Sequence, residues 1–321
     1  MKKLLNLRCT AFWFALIGAS LVQSCGDDEL FDVTGSKENK VYINTQSWNP
    51  VNAPRNSIVF NVTNTPAGSI IANADKIEAK FAVQCTHVAA SDIVVRFEID
   101  NSLITSGYSQ VPSGVNLTID KTELTIPKGA TISGDSITIS VSNDNLDLLT
   151  TGQYMAPVKI VSVTNAKVSD NLTSACLLVK TTYTNCVDQA SSVSGTAAGR
   201  TGWKALVNGV DQANKLFDNS SRSYFYGTNF TVDVDLGTTH ENITGLVFGY
   251  YSRSYSMKSA NIYTSVTGID YELQGSPTFP TNTPQYVQFY EKISARYVRV
   301  VVTAGVSSSG VALSEFNVYQ Q

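Results

Sequence analysis

The sequence predicts an all-β protein of two domains, an antiparallel sandwich followed by a jelly roll. Short runs with an apolar residue at every second position recur along the chain, the period of a half-buried strand. Hydrophobic residues make up 43% and charged residues only 15%, with Ser, Thr, Asn, Gly and Val in nearly every stretch. That profile excludes coiled coil and intrinsic disorder and suits a sandwich-type β protein. No window from about residue 41 to 183 carries a long apolar run at helical spacing, and 321 residues suit about two domains.

Residues 1–24 read as a lipoprotein signal peptide. Lys2, Lys3 and Arg8 precede or interrupt an apolar stretch from Leu4 to Val22, which Asn6, Thr10 and Ser20 also break, so an export signal fits better than a membrane anchor. Ser24 stands immediately before Cys25, the arrangement a lipoprotein signal peptidase accepts. Cys25 is therefore the expected lipidation site, where each buried acyl methylene adds roughly 0.8 kcal/mol of membrane affinity. The following Gly26-Asp27-Asp28-Glu29 resembles the acidic tag of Bacteroidetes lipoproteins moved to the outer face of the outer membrane. Residues 25–39 are then a tether, and the expected location is lipid-anchored and surface-exposed on the cell outer membrane. A plain solvated charge run is the alternative for those acids. The net charge of −3 becomes −6 beyond residue 24, with 20 basic against 26 acidic groups, which argues against nucleic acid as a partner.

Removing Cys9 with the signal and Cys25 to lipid leaves Cys85, Cys176 and Cys186. Cys85 continues the alternating face of Ile77, Ala79, Phe81 and Val83 and reads as a buried free thiol. A link from Cys176 to Cys85 or Cys186 stays open in an exported chain. Zinc is not expected, because there is no Cys-x-x-Cys and His87 and His240 stand alone.

Residues 40–184 form the first domain. Alternating runs at Ile77 to Cys85, Ile93 to Ile99 and Ser136 to Val141 are separated by turn chemistry at Pro112-Ser113-Gly114, Pro127-Lys128-Gly129 and Gly134-Asp135. This is the pattern of an antiparallel sandwich with Ig-like packing. Val41-Tyr42-Ile43, Leu124-Thr125-Ile126-Pro127-Lys128-Gly129 and Tyr154-Met155-Ala156-Pro157-Val158-Lys159-Ile160 together resemble the Ig-like domain at the N-terminus of Bacteroidetes surface lipoproteins from glycan-utilisation loci. The resemblance implies a spacer or platform with no catalytic residues.

Residues 185–202, rich in Ser, Ala, Gly and Thr without alternation, read as a linker. The second domain, 203–321, opens at Trp203 and alternates strictly over Phe230 to Gly237. Further runs follow at Ile243 to Tyr250, Ala260 to Thr264, Tyr286 to Phe289, Tyr297 to Val302 and Phe316 to Tyr319, a jelly-roll pattern. Leu216-Phe217-Asp218-Asn219, Val234-Asp235-Leu236-Gly237, Ser259 to Ser265, Ala295 to Val300 and Leu313 to Tyr319 stand in the order seen in coagulation-factor type C (discoidin) domains. The resemblance implies a galactose-binding-like jelly roll with ligand loops at one end.

Nothing supports catalysis: the acids are scattered, no Gly-x-Ser-x-Gly occurs, and neither resembled family supplies a nucleophile, so the chain is not expected to be an enzyme. The discoidin resemblance implies a structural calcium ion at Asp218, Ser223 and Glu315, hard oxygen ligands of the kind calcium needs. Asn219, Ser223 and Phe225 stand where that family has Gly, Thr and Trp. The alternative is that Asp218 caps a turn and Glu315 packs at the sheet edge. A sugar is held by an exposed ring under its C–H face and by polar groups on its hydroxyls, and Tyr226, Tyr251, Arg253 and Tyr255 supply both kinds. Phe225, Tyr250 and Trp203 are assigned to the core. The expected function is non-catalytic capture of a glycan ligand for an outer-membrane uptake system acting on polysaccharides or glycoprotein glycans, with the membrane and its uptake machinery as partners. The alternative is an adhesin or assembly component that binds a protein through the jelly roll.

Overall fold

The computed structural model describes residues 38–43 and 56–321, so the signal peptide, Cys25 and most of the tether lie outside the described residues. Ile77, Ala79, Phe81, Val83 and Cys85 are all buried, as their alternation requires. They form two strands, Ile77–Phe81 and Val83–Cys85, because the halves pair with different partners: the first with Ile137–Val141, the second with Lys40–Ile43. Two of the expected turns close by the hydrogen bond of a β-turn. The Val115 amide donates to the Pro112 carbonyl at 3.0 Å and the Ala130 amide to Pro127 at 3.0 Å, with Gly129 at φ +87°.

The large sheet of this Ig-like domain runs Gly68–Ile71, Ser57–Thr65, Ser174–Tyr183, Gly152–Val163, Ile93–Ile99, Glu123–Ile126. It is mixed, where an antiparallel sandwich is expected: Ser57–Thr65 runs parallel to Ser174–Tyr183, and in a separate three-stranded sheet Lys40–Ile43 runs parallel to Lys167–Val168. The reason lies in Ser174–Tyr183, which is covered on both faces. Ala175, Leu177 and Val179 face the main core, while Cys176 and Leu178 pack with Met155 behind the sheet. A strand buried on both faces accepts a parallel neighbour without exposing apolar surface. Cys85, Cys176 and Cys186 are free and buried, so the open link through Cys176 is not formed. Burial pushes the Cys176 thiol up to about 11 and the Cys186 thiol up to about 12.

The second domain is a jelly roll built on two long strands, Thr231–Tyr250 and Gln285–Gly305, where shorter ones are read from the sequence. Each crosses a corner of the roll. Thr231 to Asp235 pair with Tyr297 to Val301, the register shifts around His240 and Ile243, and Gly245 to Phe248 then pair with Gln285 to Gln288. Gly245 sits at the corner because a Cβ there would lie 2.0 Å from the Val287 carbonyl oxygen. Val232, Val234, Leu246, Phe248, Tyr250, Val298, Val300, Phe316 and Val318 fill the interior, and Trp203 packs edge-on against Phe217 and His240.

Residues 185–202 are not a linker. The Val187 amide donates to Gln288, the Gln189 amide to Thr278 and the Ala198 amide to Val318, while Thr196–Ala197 pairs with Val311–Gln320. Asn185 binds Gln274 and Glu291 through its side chain. The small residues serve close approach here rather than freedom: a Cβ on Gly195, at φ +90°, would lie 2.4 Å from the Gln320 carbonyl oxygen. Among the described residues no helix is long and apolar enough to cross a membrane.

Candidate functional site

Two chain segments bring four tyrosines together at one end of the jelly roll. Strand Phe225–Gly227 pairs with Val311–Gln320, with Tyr226 opposite Ala312. Its alternation sends Phe225 inward onto Phe230, ring centroids 4.9 Å apart, and turns Tyr224 and Tyr226 outward. Thr231–Tyr250 ends with Tyr250 fully inside, and the next residue reverses side: Tyr250 is 2% exposed and Tyr251 52%. The Tyr251 amide donates to the Ala312 carbonyl at 3.1 Å, which holds this crossover against the sheet. A single 3-10 turn, Arg253–Tyr255, then carries Tyr255 back over the same spot.

Tyr224 packs on Tyr251 with centroids 5.0 Å apart, and Tyr226 on Tyr255 at 6.0 Å and 73°. Together with Ala312 these rings line an open depression of about 340 Å³. The small Ala312 leaves the depth, and the Tyr226 hydroxyl donates to the Ser309 carbonyl at 2.6 Å, fixing that ring. Tyr226, 48% exposed, keeps a broad ring surface in solvent. Such a site offers apolar faces for a sugar's C–H groups and phenol oxygens for its hydroxyls.

Tyr226, Tyr251 and Tyr255 thus come together, and Arg253 does not join them. Arg253 is exposed and does not line the depression, because the 3-10 turn uses its backbone instead: its carbonyl accepts from the Ser256 hydroxyl at 2.7 Å. Tyr224 is the lining residue that sequence reasoning missed. The signal was present, since a core Phe225 in a strand puts its two neighbours on the opposite face.

The three residues implied for calcium do not assemble as a metal site. Asp218 is exposed and caps a turn, accepting from the Ser220 amide at 3.0 Å. Glu315 accepts from the same amide at 2.9 Å and from the Arg200 guanidinium at 2.7 Å. Ser223 enters only through its amide, which donates to the Ser220 carbonyl at 3.3 Å. Burial holds the Glu315 carboxyl above the ordinary range, opposed by its bond to Arg200. With a cation of the protein already on Glu315, this donor set does not fit calcium, which takes six to eight oxygens at about 2.3–2.6 Å.

An N-terminal-domain family model matches residues 37–167, and the F5/8 type C domain model matches residues 189–316. The second match begins inside the segment 185–202, in accord with its packing on the jelly roll. A two-domain protein of unknown function from Bacteroides fragilis is similar over 88% of this chain and 95% of its own, at 15% identity and a TM-score of 0.57. Two family 32 carbohydrate-binding modules of Clostridium perfringens match the chain in part. One, in complex with GalNAc-β-1,3-galactose, is 13% identical over 39% of this chain and 99% of its own, TM-score 0.35. The other, in complex with galactose, is 18% identical over 39% of this chain and 98% of its own, TM-score 0.34. No curated protein matches the sequence. The chain is a two-domain β protein whose first domain matches an N-terminal-domain family model and whose second, a jelly roll, matches the F5/8 type C domain model.

Proposed function

We propose that this chain is a non-catalytic, surface-exposed lipoprotein that captures a glycan in its tyrosine depression and presents it to an outer-membrane uptake system. The observation that carries the reading is the convergence of Tyr224, Tyr226, Tyr251 and Tyr255 on one open hollow at the end of an F5/8 type C domain. One or two rings stack under the sugar, the phenol oxygens meet its hydroxyls, and Ala312 sets how deep the ring sits. A shallow, wet site of this kind supports a dissociation constant of roughly micromolar to millimolar, about −8 to −4 kcal/mol. The Ig-like domain acts as the platform, and Cys25, supported by Ser24-Cys25 in the sequence, holds the chain on the membrane.

A glycan array probed with the full chain tests the capture step: binding to at least one neutral glycan, reduced in Tyr251→Ala, is the expected result. No binding to any glycan, with recovery of an outer-membrane protein through the same rings, would replace this reading with that of an adhesin. Fractionation of cells expressing Cys25→Ala tests the anchor, which predicts loss of the protein from the membrane fraction.

A further inference from the structure

We infer that the Arg200 guanidinium takes the place of a structural cation in this jelly roll, making the domain independent of calcium. Arg200 lies in the segment just before Trp203. Its Nη2 donates to Glu315 Oε2 at 2.7 Å and to Asn317 Oδ1 at 2.5 Å, its Nε to Asn317 Oδ1 at 3.0 Å, and its Nη1 to Asn219 Oδ1 at 3.4 Å. The guanidinium also lies over the Phe217 ring, 5.6 Å from its centroid. One charged group therefore ties three stretches of chain together: the segment before Trp203, the turn after Phe217, and the strand Val311–Gln320.

The Arg200 and Glu315 side chains are only 17% and 16% exposed, so the pair is poorly screened and cannot be exchanged for ions from solvent without unmaking this set of bonds. A planar fork of donors suits the arrangement, because it can serve a carboxylate and two amide oxygens at once where a metal would demand a shell of further oxygens. The substitution of Asn219 for the family's Gly follows from the same geometry. Asn219 holds φ +60°, a left-handed conformation that Asn tolerates, and its side-chain oxygen is one of the acceptors for Arg200. The Ser220 amide, bonded to both Asp218 and Glu315, completes the joint.

Thermal unfolding of the full chain with a chelator and with excess calcium tests the inference independently of any glycan. Equal midpoints in the two conditions, within about one degree, together with no calcium binding by calorimetry, are expected. A midpoint that falls by several degrees in chelator, or calcium binding abolished by Glu315→Gln, overturns it. Arg200→Ala should lower the midpoint by several degrees and Arg200→Lys by less, since an ammonium keeps the charge but not the fork. An Arg200→Ala midpoint equal to that of the wild type would also overturn it. Should Arg200→Ala fail to fold, Asn219→Gly, which keeps the turn and removes one acceptor, should give a smaller drop, and an unchanged midpoint there counts against the inference.

Discussion

Two tyrosine-lined hollows on the same jelly roll differ in what their rings already touch. On the sheet face, Tyr271 and Tyr297 line a hollow of about 370 Å³ with Lys204, Asp233, Asp235 and Arg299. There the Arg299 guanidinium lies 4.2 Å from the Tyr271 centroid, and Arg296 lies 4.9 Å from that of Tyr297. Both arginines are bound to carboxylates in turn, Arg299 to Asp233 at 2.6 Å and Arg296 to Asp235 by two bonds of 2.9 and 3.0 Å. Rings and charges are thus committed to one another. At the loop end the four tyrosines pack on one another in two pairs, and among the described residues no cation lies over them. The lesson is that an aromatic cluster is read as a ligand site by what leaves its faces open, and composition alone does not separate the two hollows.

The largest effect that tests this contrast comes from adjacent residues. Tyr250→Ala empties a fully buried site and should cost about 3–5 kcal/mol of stability in denaturant unfolding. Tyr251→Ala, one residue on, should leave stability near that of the wild type. In a glycan titration Tyr251→Ala or Tyr255→Ala should weaken binding by about 1–2 kcal/mol, and an unchanged affinity would move the site elsewhere. Tyr271→Ala should do the reverse, leaving affinity unaltered while losing about 0.5–1 kcal/mol of stability from its contact with Arg299.

The smallest effect is on pH dependence. The bond from Arg296 holds the Asp235 carboxyl below its ordinary value near 3.8, so the stability it contributes is present above that value. It is lost as pH falls through the lower folded value. Thermal midpoints in acid should therefore fall more steeply for the wild type than for Asp235→Asn, and parallel curves would show that the ion pair contributes nothing.

Much of this architecture was legible from the chain because burial follows period two, and Ile77 to Cys85 show it residue by residue. Parallel pairing of Ser57–Thr65 with Ser174–Tyr183 was not, since the apolar run Ala175 to Val179 marks burial on both faces and leaves the direction of the neighbour open. The packing of residues 185–202 was hidden by composition: Ser, Ala and Gly mark a flexible segment and a tightly apposed one alike. At the site, Tyr226, Tyr251 and Tyr255 could be read as rings near loops, but Arg253 was placed by proximity in sequence, and the 3-10 turn points its role to the backbone. Arg200 lies outside every recognisable motif, and only the fold brings it to Glu315.

The most direct test of the central claim is a crystal structure of the full chain with the glycan that an array identifies. The account predicts the sugar ring stacked within about 4 Å of Tyr226, Tyr251 or Tyr255, above Ala312. A sugar seated instead on the Tyr271 and Tyr297 hollow, or on the Ig-like domain, would contradict it.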